Sequence, residues 1–348
     1  DLARCTNPNQ KPQVSGGMCY SWYAARRVVF APLSNVYHPV RMRMAHALFY
    51  RSDLAAEGVS FHRAQYVVYS GGACSCVGSV SCTCTGSTII STGVIGADLP
   101  VGDPNHVERS WTGALPIYLT NGQYQIKVGL PGFYDRMVTV DVADGAVDAP
   151  AVMTPIVEEG GLRVVLTWGA RPWDMDLWVV RAGVPRPNWL GDPPEQTVFW
   201  GMPEVTEVNE EGVNEMAGIV LNRDEVNANG PETVTFSPAV ASLRYRVAVN
   251  VYSDEPTLPD EPPQCVEGED TGCFFRGGET VQFFTSAGLL AETTFNTNVG
   301  TWWVVGTIEK DIAGGFSFDF DPVVEGERNG AGSVADGSAN CLDIYDEC

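Results

Sequence analysis

No apolar run in this chain is long enough to cross a membrane as a helix. Positive charge is scarce: 21 Lys and Arg stand against 43 Asp and Glu, a net charge of −22. A phosphate-binding protein needs a basic face, so a nucleic-acid partner is not expected, nor is attraction to an anionic membrane surface. Acidity of this kind favours cations and solubility. There are only 4 histidines, and none stands in an H-E-x-x-H arrangement. G-x-S-x-G, P-loop and dinucleotide signatures are missing too, so the expectation is a chain that is not an enzyme. No Asn-x-Ser/Thr acceptor occurs. The chain opens at Asp1 without a methionine, which fits a processed mature form.

What the sequence does have is punctuation. With 37 Gly and 23 Pro it is rich in turns and poor in long helices. Its length of 348 residues suggests two domains at about 150 residues each. Ten cysteines, an even number, mostly lie in close pairs: Cys5, Cys19, Cys74, Cys76, Cys82, Cys84, Cys265, Cys273, Cys341 and Cys348. That pattern reads as disulfides formed in an oxidising compartment, with connectivity left open. Cys74-Ser-Cys76 and Cys82-Thr-Cys84 also admit a four-thiolate zinc site, although the one-residue gaps are unusual for one.

Strand periodicity sets the architecture. Tyr124, Ile126 and Val128 alternate with Gln123, Gln125 and Lys127, and the alternation resumes at Val138, Val140 and Val142 after a Pro-Gly turn. Two half-buried strands joined as a hairpin follow from this. Further strands are expected at 27–30 and 65–69. Residues 39–54 fit either a helix or a pair of strands. In the second half, Leu162, Val164, Leu166 and Trp168 share one face, and 175–180 is expected to return beside them. Val247, Val249 and Val251 alternate again, and strands are expected over 281–284 and 301–305. The predicted fold is all-β: two immunoglobulin- or transthyretin-like β-sandwich domains with disulfide-pinned terminal arms. The arms are 1–24 and the Gly/Ser-rich 326–348. The domains are 25–156, with a Cys-rich insertion, and 161–325.

Two resemblances accompany this reading. Residues 122–134, with a G-x-Y-x-I-x-V strand followed by a Gly-Phe turn, look like the carboxypeptidase regulatory-like, or transthyretin-like, sandwich. Leu166-Thr167-Trp168-Gly169-Ala170-Arg171-Pro172-Trp173-Asp174-Met175-Asp176 resembles an uncharacterised family of secreted sandwiches marked by L-T-W-G-x-x-P-x-D-x-D. That family also carries an Asx-rich loop ending in G-P-E-T, here 221–233, and a late Trp-Trp strand, here Trp302-Trp303. The resemblance implies a sandwich and a secreted location. A histidine that follows the second aspartate in many members is replaced here by Trp178.

Asp174 and Asp176 lie two apart, which on a strand places both carboxylates on one face. Like charges so placed call for a cation or dense hydrogen bonding. Asp224, Asn227, Asn229 and Glu232 add oxygens, and together the six residues suit Ca2+, which takes six to eight oxygen ligands. The alternative is a turn-capping Asp174, a solvated Asp176 and an ordinary Asn/Gly loop. A second acidic pair, Asp319 and Asp321, reads as a solvated strand edge. On balance the sequence points to an extracellular or cell-surface structural protein. It would assemble with copies of itself into a fibre or surface layer, stabilised by disulfides and Ca2+. The rival reading is an adhesion or carbohydrate-binding protein whose partners are glycans.

Overall fold

A computed structural model describes residues 13–15, 18–20, 37–48, 61–95, 112–113, 117–143, 145–182, 196–206, 214–226, 228–253, 275, 277–296, 302–320 and 323–325. Among them the chain is all β apart from one 3-10 turn at Phe61–Arg63. The terminal stretch 326–348 and the expected strand at 27–30 lie outside the described residues. Within 1–24 a short hairpin is formed by β1 (Gln13–Ser15) and β2 (Met18–Tyr20).

The first sandwich is built from β3 (His38–His46), β4 (Gln65–Ser70), β5 (Ala73–Ser75), β6 (Thr83–Thr85), β7 (Thr88–Val94), β8 (Thr112–Gly113), β9 (Ile117–Leu119), β10 (Gly122–Gly129), β11 (Arg136–Val142) and β12 (Val147–Met153). One sheet runs β11-β10-β4-β7; the other runs β12-β3, with β8 and β9 both on the far edge of β3. The expected hairpin is present, with Ile126 opposite Val138 and Tyr124 opposite Val140. Their inward side chains meet Val40, Met42 and Met44 of β3 and Ala149, Ala151 and Met153 of β12. Each large apolar side chain so buried contributes about 1.5–3 kcal/mol.

The helix alternative at 39–54 does not form over the described residues. Val40, Met42 and Met44 are buried at every second position, a strand period. The intervening Arg41 and Arg43 both reach Asp148 on β12, at 3.3 and 3.1 Å. β3 and β12 run parallel, so Asp148 stands directly opposite Arg41.

The second sandwich comprises β13 (Leu162–Thr167), β14 (Asp174–Arg181), β15 (Thr197–Val198), β16 (Ile219–Arg223), β17 (Glu232–Phe236), β18 (Arg244–Ser253), β19 (Thr280–Thr285), β20 (Gly288–Thr294), β21 (Trp302–Lys310), β22 (Phe316–Asp319) and β23 (Val323–Glu325). Its sheets run β16-β17-β13-β19-β20 and β15-β14-β18-β21-β22, with β23 also on β21. The expectation that 175–180 returns beside 162–168 is corrected: β13 pairs with β17 and β19, whereas β14 pairs with β15 and β18. Residues 168–173 cross from one sheet to the other. The reason is that both strands carry an apolar face. Leu162, Val164 and Leu166 look across the core at Met175, Leu177 and Val179, and Trp303 and Phe283 fill the space between the sheets. A hairpin would have left those faces side by side.

The sandwiches are docked, not strung. Ala45, Ala47, Tyr134, Val152 and Val157 of the first half form one apolar cluster with Val165, Phe284 and Leu289 of the second. The Tyr134 hydroxyl accepts the Val157 N–H at 2.8 Å and donates to the Thr285 carbonyl at 2.7 Å. The β5–β6 hairpin extends this contact. It carries two nested disulfides, Cys74–Cys84 and Cys76–Cys82, so the zinc alternative for these four sulfurs is excluded. Cys19 sits in β2, and Cys5, Cys265, Cys273, Cys341 and Cys348 lie outside the described residues. At the hairpin tip, Gly78 N–H donates to the Leu289 carbonyl at 2.7 Å.

Candidate metal centre

Alternation along β14 sends Met175, Leu177 and Val179 into the core, and therefore Asp174, Asp176 and Trp178 to the opposite face. β15 covers the edge of β14 only at Val179 and Val180. Beside Leu177, where no strand among the described residues pairs on that side, a side chain takes over: Glu232, the first residue of β17, accepts the Leu177 N–H through Oε2 at 2.8 Å. Asp224 follows directly on β16. The three sequence-distant acids thus converge, and one carboxylate oxygen each from Asp176, Asp224 and Glu232 lies within 4.8 Å of the others.

The connection between β16 and β17 is shaped to deliver them. Asn229 holds a left-handed φ of 81°, and its N–H donates to the Gly169 carbonyl at 2.8 Å. At Gly230 a Cβ would come within 2.8 Å of the Trp168 ring, so the G-P-E-T segment can lie against that indole only with glycine there. This ties the two quoted motifs together in space. Asn227 lies outside the described residues.

Electrostatically the cluster is unbalanced. Asp176 is 3% exposed and Glu232 is fully buried. Burial, then Asp174 and Asp224, pushes the Asp176 carboxyl well above the usual carboxylate range. Burial, then Asp176 and Asp224, does the same to Glu232. Asp174 is raised to about 7 by burial, with Asp224 and Glu225 adding repulsion, and Asp224 is raised by burial and Glu225. Asp176 Oδ2, Glu232 Oε1 and Asp174 Oδ1 are buried atoms without a hydrogen-bond partner among the described residues. The neighbouring cation, Arg223, is joined to Glu225 at 2.8 Å, both fully buried. Buried carboxylate oxygens left over in this way fit a hard cation: the donor set is all oxygen, as Ca2+ or Mg2+ prefers, and a bound ion removes the mutual repulsion.

Of the six residues expected to act together, Asp176, Asp224 and Glu232 meet, and Asp174 stands close enough to repel Asp224. Asn229 contributes its backbone to the loop. The sequence reading missed Arg223 and Glu225. Their signal, a charged pair flanking Asp224 at the end of an apolar strand, is visible only in hindsight. The other singled-out groups fall elsewhere. Asp319 is exposed on β22, and Asp321 lies outside the described residues. His38 and His46 are buried in β3, each accepting a backbone N–H through Nδ1 at 3.0 Å, from Gly145 and Leu48 respectively.

No protein-family description matches the chain, and no curated protein does. Among solved structures, similarity is found to a protein of unknown function, at 17% identity and a TM-score of 0.31, over 47% of this chain and 88% of the other. A homologue of the telluride resistance protein TerD from Streptomyces coelicolor is similar at 15% identity and a TM-score of 0.31, over 48% of this chain and 90% of that one. Likeness this slight carries no assignment of fold or activity to the present protein.

Proposed function

We propose that this protein is a non-catalytic structural protein of the extracellular space, braced by disulfides and by a buried calcium ion, that associates with further copies of itself. The observation that carries the reading is the buried meeting of Asp176, Asp224 and Glu232, in which Asp176 and Glu232 each keep an oxygen without a hydrogen-bond partner among the described residues. A cation there would join the two sheets of the second sandwich, since its ligands come from β14 on one and from β16 and β17 on the other. The nested disulfides support an oxidising compartment. Self-association is supported by β7, an edge strand of its sheet among the described residues, where Ile89, Ile90 and Val94 are 59, 49 and 58% exposed; an apolar strand edge of that kind invites pairing with another chain.

Calorimetric titration with calcium, together with negative-stain microscopy with and without chelator, tests this. One strong binding event is expected, with stabilisation of about 3 kcal/mol at free calcium a hundredfold above Kd, and polymers are expected in the images. A protein that binds no divalent cation and stays monomeric at high concentration would end the proposal.

A second reading, an adhesion or carbohydrate-binding role, is favoured by an aromatic row on the outer face of the β14-β18-β21 sheet. Trp178 stacks on Phe199 at 4.2 Å and meets Trp302 edge-on at 5.3 Å, while Trp200, 47% exposed, packs against Tyr252. Such rings are suited to sugar faces. Tryptophan fluorescence titrated with cello-, chito- and manno-oligosaccharides decides it: a saturable change lost in Trp200→Ala supports the reading, and a flat response removes it.

A further inference from the structure

We infer that the cation site controls how firmly the first sandwich is docked on the second, through Arg223 and Thr233, each the immediate chain neighbour of a metal-ligand candidate. This rests on the metal reading above and deepens it. The arrangement is specific. On β16, Arg223 donates through Nη1 to the His46 carbonyl at the end of β3, and the next residue, Asp224, points its carboxylate into the acidic cluster. On β17, Thr233 donates its hydroxyl to the Ala47 carbonyl at 2.6 Å, and the preceding residue is Glu232. Two consecutive carbonyls of the first sandwich are therefore held by two residues whose neighbours would share one ion. Arg223, Glu225, Glu232 and Thr233 are all buried, so neither contact has slack.

Without a cation, the carboxylates of Asp176, Asp224 and Glu232 repel one another, and separation of the β16 and β17 ends from β14 relieves that repulsion. The backbone at Arg223 and Thr233 moves with those ends, and the grip on His46 and Ala47 loosens. With a cation the ends are drawn together and the grip is restored. The opposite side of the docking surface does not share this control. There the disulfide hairpin holds Leu289 through Gly78, and the contact contains no acidic cluster residue. Loss of the ion thus predicts an opening on one side, with the disulfide side as the pivot. Coupling of this kind is a free energy between two places and works in both directions.

Hydrogen exchange of the full-length protein, in calcium and in chelator, reads the effect directly. Chelation should accelerate exchange roughly tenfold in a peptide spanning 44–48 of the first sandwich, with little change at 77–80 and 288–290. Thr233→Val keeps every carboxylate and removes the hydroxyl donor. It should still bind calcium by calorimetry, while exchange at 44–48 is fast in both conditions. Calcium binding with exchange at 44–48 unmoved by chelator overturns the coupling and leaves the metal site standing. Absence of calcium binding overturns both.

Discussion

Glu232 and Leu177 belong to different sheets of the second sandwich, yet the carboxylate of one accepts the backbone N–H of the other at 2.8 Å. That bond satisfies the Leu177 N–H at the edge of β14 and fixes the acid beside Asp176. It uses one oxygen of Glu232 and leaves the second without a partner among the described residues, which is the chemical root of the cation proposal.

Asp176→Asn should act with opposite signs in the two conditions. In chelator it removes a buried carboxyl whose ionised form is disfavoured by burial and by Asp174 and Asp224, and the melting temperature should rise, by a stability gain of about 1–3 kcal/mol. In calcium it removes a ligand, and the calcium-induced rise in melting temperature should vanish. Scanning calorimetry of both proteins in both buffers checks this; equal melting shifts on calcium addition would contradict it.

The raised carboxyl of Asp174 predicts a pH signature in chelator. Its folded value, about 7, lies above that of an unfolded aspartate, so the folded state binds the proton more tightly. The stabilisation is full below about pH 4 and is lost as pH rises toward 7. Urea midpoints for wild type relative to Asp174→Asn should therefore fall over that window. In calcium the fall should be smaller, because the ion's charge offsets the neighbouring carboxylates that help to raise Asp174. Parallel midpoints for the two proteins would contradict the assignment.

The inner disulfide should matter more than the outer one. Cys82 is 5% exposed and Cys76 packs on the cluster between the sandwiches, whereas Cys74 and Cys84 are only half-buried. Cys76→Ser with Cys82→Ser should cost about 2–3 kcal/mol by urea denaturation and speed exchange at 288–290. Cys74→Ser with Cys84→Ser should leave that exchange unchanged.

Gly288→Ala tests the hairpin contact without touching a cysteine. Gly288 has a φ of 131°, and a Cβ there would lie 2.2 Å from the backbone carbonyl carbon of Ser79. The added methyl cannot be accommodated unless the hairpin tip moves. A loss of about 1–3 kcal/mol is expected, and wild-type stability would show that the tip does not sit on β20.

The amino-acid sequence by itself determined the class of fold. Period-two alternation in β10, β11, β13 and β18 reports directly on which residues turn inward, because a strand exposes its two faces in strict succession. It narrowed the cysteine chemistry at 74–84 to disulfides or a thiolate metal site, which the structure settled as disulfides, and it picked out Asp174, Asp176, Asp224 and Glu232, since clustered carboxylates in an apolar setting are locally conspicuous. Only tertiary structure decided what those strands pair with. Two apolar faces are satisfied equally well beside each other or across a core, and β14 took the second course. The pairing of Cys74 with Cys84 waited on the hairpin register. Likewise, Arg223 and Thr233 read as the ends of an Asx-rich loop until the structure placed them on β16 and β17 and brought the carbonyls of His46 and Ala47 to them across nearly two hundred residues of chain. Alternation is a local property of the chain, and burial against a distant backbone is not.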